Sequence, residues 1–116
     1  MPRLTLSRVL GVLFIVFAFP KLLAVPMAVD NFVKWGLGDA GRHAVGALEV
    51  ALGVSMLVER LRTWATLGLL CVMGGAVAVH VVAREFMMMP MPIVFGVLLV
   101  EVLRREAQLR FSPLPA

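Results

Sequence analysis

The chain has a single cysteine, Cys71, and it lies in the middle of an apolar stretch. No intrachain disulfide and no dithiol relay is possible, which excludes quinone reduction through paired cysteines by this chain on its own. In its position Cys71 reads as a small apolar side chain at a helix interface. A Gly-rich phosphate loop after a strand, zinc-ligand spacing and a nucleophile elbow are all missing. No ligand set for haem or an iron–sulfur cluster is present either, so any electrons must come from another protein. Polar helix faces are lacking too, which argues against a soluble bundle.

What remains is apolar. Of 116 residues, 61% are hydrophobic, and the mean hydropathy is +0.98, beyond what a soluble domain of this length carries. Four apolar stretches cover residues 6–25, 44–58, 63–83 and 86–103. A helix needs ~20 apolar residues to cross a bilayer. The first and third meet this length, and the second and fourth borrow flanking residues or cross with little tilt. The expected fold is all-α, a four-transmembrane-helix antiparallel bundle over 1–104 with a polar tail over 105–116 that ends loosely in Ser112-Pro113-Leu114-Pro115.

Basic residues set the orientation. Arg3, Arg8, Arg60, Arg62, Arg104, Arg105 and Arg110 fall on one side, against Lys21, Lys34, Arg42 and Arg84 on the other. That bias places both termini in the cytoplasm of a multi-pass cell-membrane protein. The net charge of +4 then reflects topology, and no nucleic-acid partner is expected. Arg3 and Arg8 before an apolar run also have the layout of a secretory signal, read here as a retained span. Trp64 near the inner interface and Trp35 in the first outer connection suit aromatic anchoring. That connection has room for a short interfacial helix over 28–35, with Phe32 and Trp35 on one side and Gly36-Leu37-Gly38 ending it. Pro20 is expected to kink the first helix and free carbonyls near Lys21.

Ionisable residues inside the spans are costly and point to function. At ~1.5 Å rise per residue, Lys21 lies ~22 Å up from the inner side and His80 ~25 Å, while Glu49 lies ~8 Å down from the outer side. All three fall in one outer layer. Gly46, Glu49 and Gly53 share a face whose small residues allow close helix approach, and Ala76, His80 and Arg84 share another. Glu49 and His80 are therefore a candidate catalytic acid–base pair, with Lys21 and Arg84 as candidate substrate-binding cations. Lys21 has two bland alternatives, an ion pair with Glu49 that fixes helix register, or snorkelling to headgroups. With every group ionised the layer is net positive and suits an anion or the carbonyl oxygens of a quinone, unless Asp30, Asp39 and Glu85 offset it. Met87-Met88-Met89-Pro90-Met91 has thioethers that suit Cu(I), but without a second cluster in the spans it reads as apolar filler, and no metal is expected. Glu101 stands three and four residues before Arg104 and Arg105, the spacing of a helix-surface ion pair.

The order Arg8, Pro20-Lys21-Leu22, Phe32…Gly36-Leu37, Gly46-Ala47-Leu48-Glu49, Leu67-Gly68-Leu69 and Ala76…His80 resembles the DoxX-like family of small four-helix membrane proteins, over about residues 8–104. Two departures are visible. Ala18 stands where a Gly usually precedes the Lys, and the acidic residue often found after the His is displaced to Glu85. The resemblance implies pocket residues at Lys21, Glu49 and His80. It also implies roles ranging from membrane subunits linked to quinone reduction, through companions of redox enzymes, to assembly factors. Three functions follow: a redox subunit that binds a quinone or similar lipophilic molecule, a stand-alone acid–base enzyme (isomerase, cyclase or hydrolase) on a lipophilic substrate, or a non-catalytic assembly or transport accessory. Partners expected are the lipid bilayer, a lipophilic small molecule, and a redox protein or further copies of the chain.

Overall fold

The computed structural model describes the backbone of residues 2–111 and the side chains of residues 6–108. The Ser112–Pro115 segment expected to be a loose tail lies outside the described residues. There are four helices of 19 to 22 residues, α1 Pro2–Leu22, α3 Gly38–Met56, α4 Arg62–Val82 and α5 Pro90–Phe111. A nine-residue helix, α2 Pro26–Lys34, stands between the first two. Single 3-10 turns at Glu59–Leu61 and Phe86–Met88 precede α4 and α5. Among the described residues there is no strand.

Among the described residues, two stretches are long and apolar enough to cross a membrane, Glu59–Val82 and Phe86–Gln108. The pair Leu6–Leu22 and Pro26–Lys34 qualifies as a third only if taken as one span bent by 82°. The bend falls after the helix containing Pro20, at Ala24, rather than at the proline: α1 runs through Pro20 to Leu22. α3 is not among the spans by this measure, and it carries Asp39, Arg42 and Glu49 in its 19 residues.

Helix limits differ from the sequence expectation in two places. α3 begins at Gly38, six residues before the apolar stretch, because Arg42 turns inward and is 4% exposed. α5 continues through Arg104 and Arg105 to Phe111, so residues 105–111 are helical rather than loose. Glu106, on that extension, is buried. Glu101 accepts from Arg104 Nε at 2.9 Å and from Arg105 Nε at 2.6 Å, as the spacing predicts.

Close packing starts at α1 against α3. A Cβ on Gly11 would lie 2.7 Å from the Gly53 carbonyl oxygen, and one on Gly53 would lie 2.8 Å from that of Gly11. Backbone therefore meets backbone, which only glycine at both positions permits. α4 packs against α5, and α3 bridges to α4. Between them Leu10, Phe14, Met56, Ala65, Leu69, Met73, Leu99 and Val102 form the core, with Phe95 set against the rings of Phe14 and Phe17. A second group of buried polar residues lies at the end of the bundle opposite α2: Ser7, Arg62, Thr66 and Glu106. Arg62 Nε donates to the Met56 carbonyl at 3.0 Å and so caps α3.

Candidate functional site

At the α2 end of the bundle the ionisable side chains gather in two clusters. The first joins α1 to α3. Helix ends leave carbonyls unpaired and partly negative, and cations gather there. Lys21 Nζ donates to the Phe17 carbonyl at 3.2 Å, and Arg42 Nη1 donates to the carbonyl of Lys21 itself. Lys21 Nζ also lies 2.9 Å from Glu49 Oε1 and forms an ion pair with it. The Glu49 side chain is 5% exposed and that of Lys21 23%. Arg42 Nη2 donates to Asp39 Oδ1 at 3.1 Å, and its buried Nε has no partner. Leu22 and Lys21 pack against the bare backbone of Gly46, which brings α1 close enough for the pair to form.

The second cluster joins α2 to the end of α4, and the backbone assembles it. α4 stops with Arg84 in the left-handed conformation at φ 58°. Arg84 N–H donates to Val81 and Glu85 N–H reaches back to the His80 carbonyl at 2.8 Å, the pairing of a Schellman cap. This reversal brings the Glu85 carboxylate to His80, whose Nδ1 lies 2.9 Å from Oε1. α2 ends in the same motif, with Gly36 at φ 78° and Leu37 N–H donating to Phe32. Its cap residue Trp35 donates Nε1 to the same Glu85 oxygen at 2.8 Å, and Lys34 forms an ion pair with the other. The Trp35 ring meets His80 edge-on with centroids 5.5 Å apart, and Phe32 backs it at 5.0 Å.

Lys34, then the His80 and Trp35 donors, hold the Glu85 carboxyl at about 2, well below its ordinary 4.5. An ionised Glu85 accepts, so Nδ1 of His80 donates to it.

The expected site residues are thus distributed rather than merged. Glu49 has Lys21 as its partner, and His80 has Glu85. Arg84 is exposed, and its side chain has no hydrogen bond or ion pair among the described residues. Lys34, Trp35 and Arg42, placed by the sequence in the first outer connection and not among the site residues, belong to the clusters. Glu49, Glu85 and Asp39 offset Lys21, Lys34 and Arg42 pair by pair, which leaves the exposed Arg84 as the surplus positive charge. Met87, Met88 and Met91 are exposed, and among the described residues no group of three His, Cys, Asp or Glu side chains forms a metal site.

A model of the DoxX-like family matches residues 5–102, which takes in both clusters and their four long helices. The chain belongs to the DoxX-like family. No curated protein matches it. Membership, with the two long apolar helices, makes this an integral membrane protein. For this DoxX-like chain the two sequence departures now have structural settings: Ala18 is fully buried, and the displaced acid Glu85 still reaches its histidine because the helix stop at Arg84 folds it back.

Proposed function

We propose that this DoxX-like protein crosses the cell membrane four times with both termini cytoplasmic, and that its outer polar layer binds the head of a quinone or similar lipophilic molecule as a subunit of a membrane redox system. The observation that carries this reading is Glu49, a carboxylate 4% exposed in an apolar bundle and paired with Lys21. Lys21, Lys34 and Arg42 are each already paired with a carboxylate, which favours a neutral head group over an anion. Lys21 would donate to a carbonyl oxygen, and Arg84, exposed at the rim, would offer a second charged donor. Reduction of a quinone takes two electrons and two protons. The electrons would come from a redox partner, and Glu49 and His80 would pass the protons.

Mass spectrometry of the protein purified in mild detergent tests this reading, with wild type compared against Glu49→Gln. A lipophilic molecule extracted from wild type and lost in the variant supports the site, and its identity separates a quinone from other substrates. An empty wild-type protein carrying a stoichiometric partner would replace the reading with an assembly or transport accessory.

One observation favours a second reading, a stand-alone acid–base enzyme. Glu85 orients His80 through Nδ1, as a carboxylate orients the histidine of a general base, and leaves Nε2 to take a proton. Turnover of a lipophilic substrate by the purified chain alone, lost in His80→Gln, would select it.

A further inference from the structure

Among the helices around the layer, α2 is the short one, and it packs mainly on α3. Nine residues make a helix that is marginal on its own, and Phe32 is its one buried residue. Met27 and Val33 are 67% and 63% exposed. Both flanks break in the left-handed region, at Ala24 (φ 57°) on one side and at Gly36 and Gly38 (φ 78° and 63°) on the other. The end of α1 closes without the helical residues of α2, Val25 N–H pairing with Pro20 O, whereas α3 is capped by Leu37, whose N–H donates to Phe32 of α2. A rotation of α2 about these two breaks therefore leaves α1 intact and parts Phe32 from the first turn of α3.

Its fastening to the end of α4 runs through Glu85 and the His80 ring. Trp35 Nε1 and Lys34 both bind Glu85, and the indole edge rests on the His80 ring. With α2 down, His80 is 7% exposed. We propose that α2 is a hinged cover over His80, latched by Glu85, and that molecules reach the histidine from the outer side when the cover lifts. Lifting removes two of the three donors on Glu85 and leaves its bond to His80 in place, so access changes while the orientation of the imidazole does not. Local opening of thinly packed segments is the ordinary low-energy motion of a folded chain. The access role rests on the functional reading above, whereas the motion itself does not.

Hydrogen exchange of the full chain in lipid nanodiscs, read by mass spectrometry, tests the cover. In Glu85→Gln, amides of residues 29–37 are expected to exchange about tenfold faster than in wild type, with α4 and α5 unchanged. Lys34→Met cuts the latch without touching His80 and is expected to give a smaller acceleration confined to the same residues. It also carries the test if Glu85→Gln does not fold. Unchanged exchange in α2 would overturn the proposal, as would acceleration spread equally over α2, α4 and α5, which would make Glu85 a brace of the whole bundle. Bound small molecules are extracted from the same samples. An α2 that opens in a protein with no ligand leaves the cover standing and removes the binding-site reading. A ligand held while α2 exchange stays at its wild-type rate does the reverse.

Discussion

Replacing Lys21 and Glu49 separately and together separates their contribution to folding from their contribution to binding. In Lys21→Met the carboxylate of Glu49, 5% exposed, loses its counter-charge while staying buried. Breaking a buried pair in this way costs about 3–5 kcal/mol. Glu49→Leu is milder, because the Lys21 side chain is 23% exposed and its ammonium can slide toward the headgroups, for about 1 kcal/mol. The double variant removes both charges and fills the space with apolar atoms, which is neutral or stabilising by about 1–4 kcal/mol. The order of stability is therefore double variant at or above wild type, then Glu49→Leu, then Lys21→Met. Unfolding by SDS titration in mixed micelles, followed by circular dichroism, gives the three differences. Equal losses for the two single variants would refute the burial argument. The co-purified molecule is expected to be absent from all three, and a stable double variant that keeps it would show that the polar layer is not the binding site.

Other perturbations address the cover, the helix crossing and the rim. The Glu85 carboxyl is held at about 2, below its ordinary 4.5, so the latch is complete above pH ~4.5 and is lost as pH falls toward 2. Exchange at residues 29–37, corrected for intrinsic chemistry, is expected to be flat from pH 7 to 5 and to gain protection-loss only below that, and Glu85→Gln removes this acid step. Gly11→Ala and Gly53→Ala each press a methyl against backbone and are expected to cost about 1–2 kcal/mol after the gain in helix propensity. Their effects will be less than additive, because the first already separates α1 from α3. Arg84→Gly relieves the left-handed φ of 58° and is expected to stabilise by about 0.5–1 kcal/mol in the same titration, while weakening retention of the ligand.

The long helices were legible because apolar runs of that length have few alternatives, and the Lys21–Glu49 contact was legible because rise per residue puts both at one depth. The short helix was equally readable from Phe32, Trp35 and the glycines after them, and it runs Pro26–Lys34 with that cap. His80 and Glu85 were not legible as a pair. A separation of five is not a helical neighbour spacing, and it closes only through the left-handed turn at Arg84, a residue type that gives no such signal. Arg42 read as a loop charge because polarity marks exposure on average, whereas its burial depends on the open carbonyl end of another helix. Gly11 escaped notice because one glycine in an apolar helix acquires meaning only opposite Gly53.

The apolar core has a consequence for sidedness. Leu10, Phe14, Met56, Leu69 and Leu99, each no more than 1% exposed, separate the Glu49 and His80 level from the buried Arg62 and Glu106 at the other end. That slab is an electrical insulator, since carrying a charge across hydrocarbon costs several kcal/mol. Protons taken up at the proposed site would then be drawn from the near compartment alone. If the partner delivers electrons from the opposite side, each turnover moves charge through the protein's surroundings without moving an ion through the protein, and the reaction becomes voltage-sensitive without being a pump.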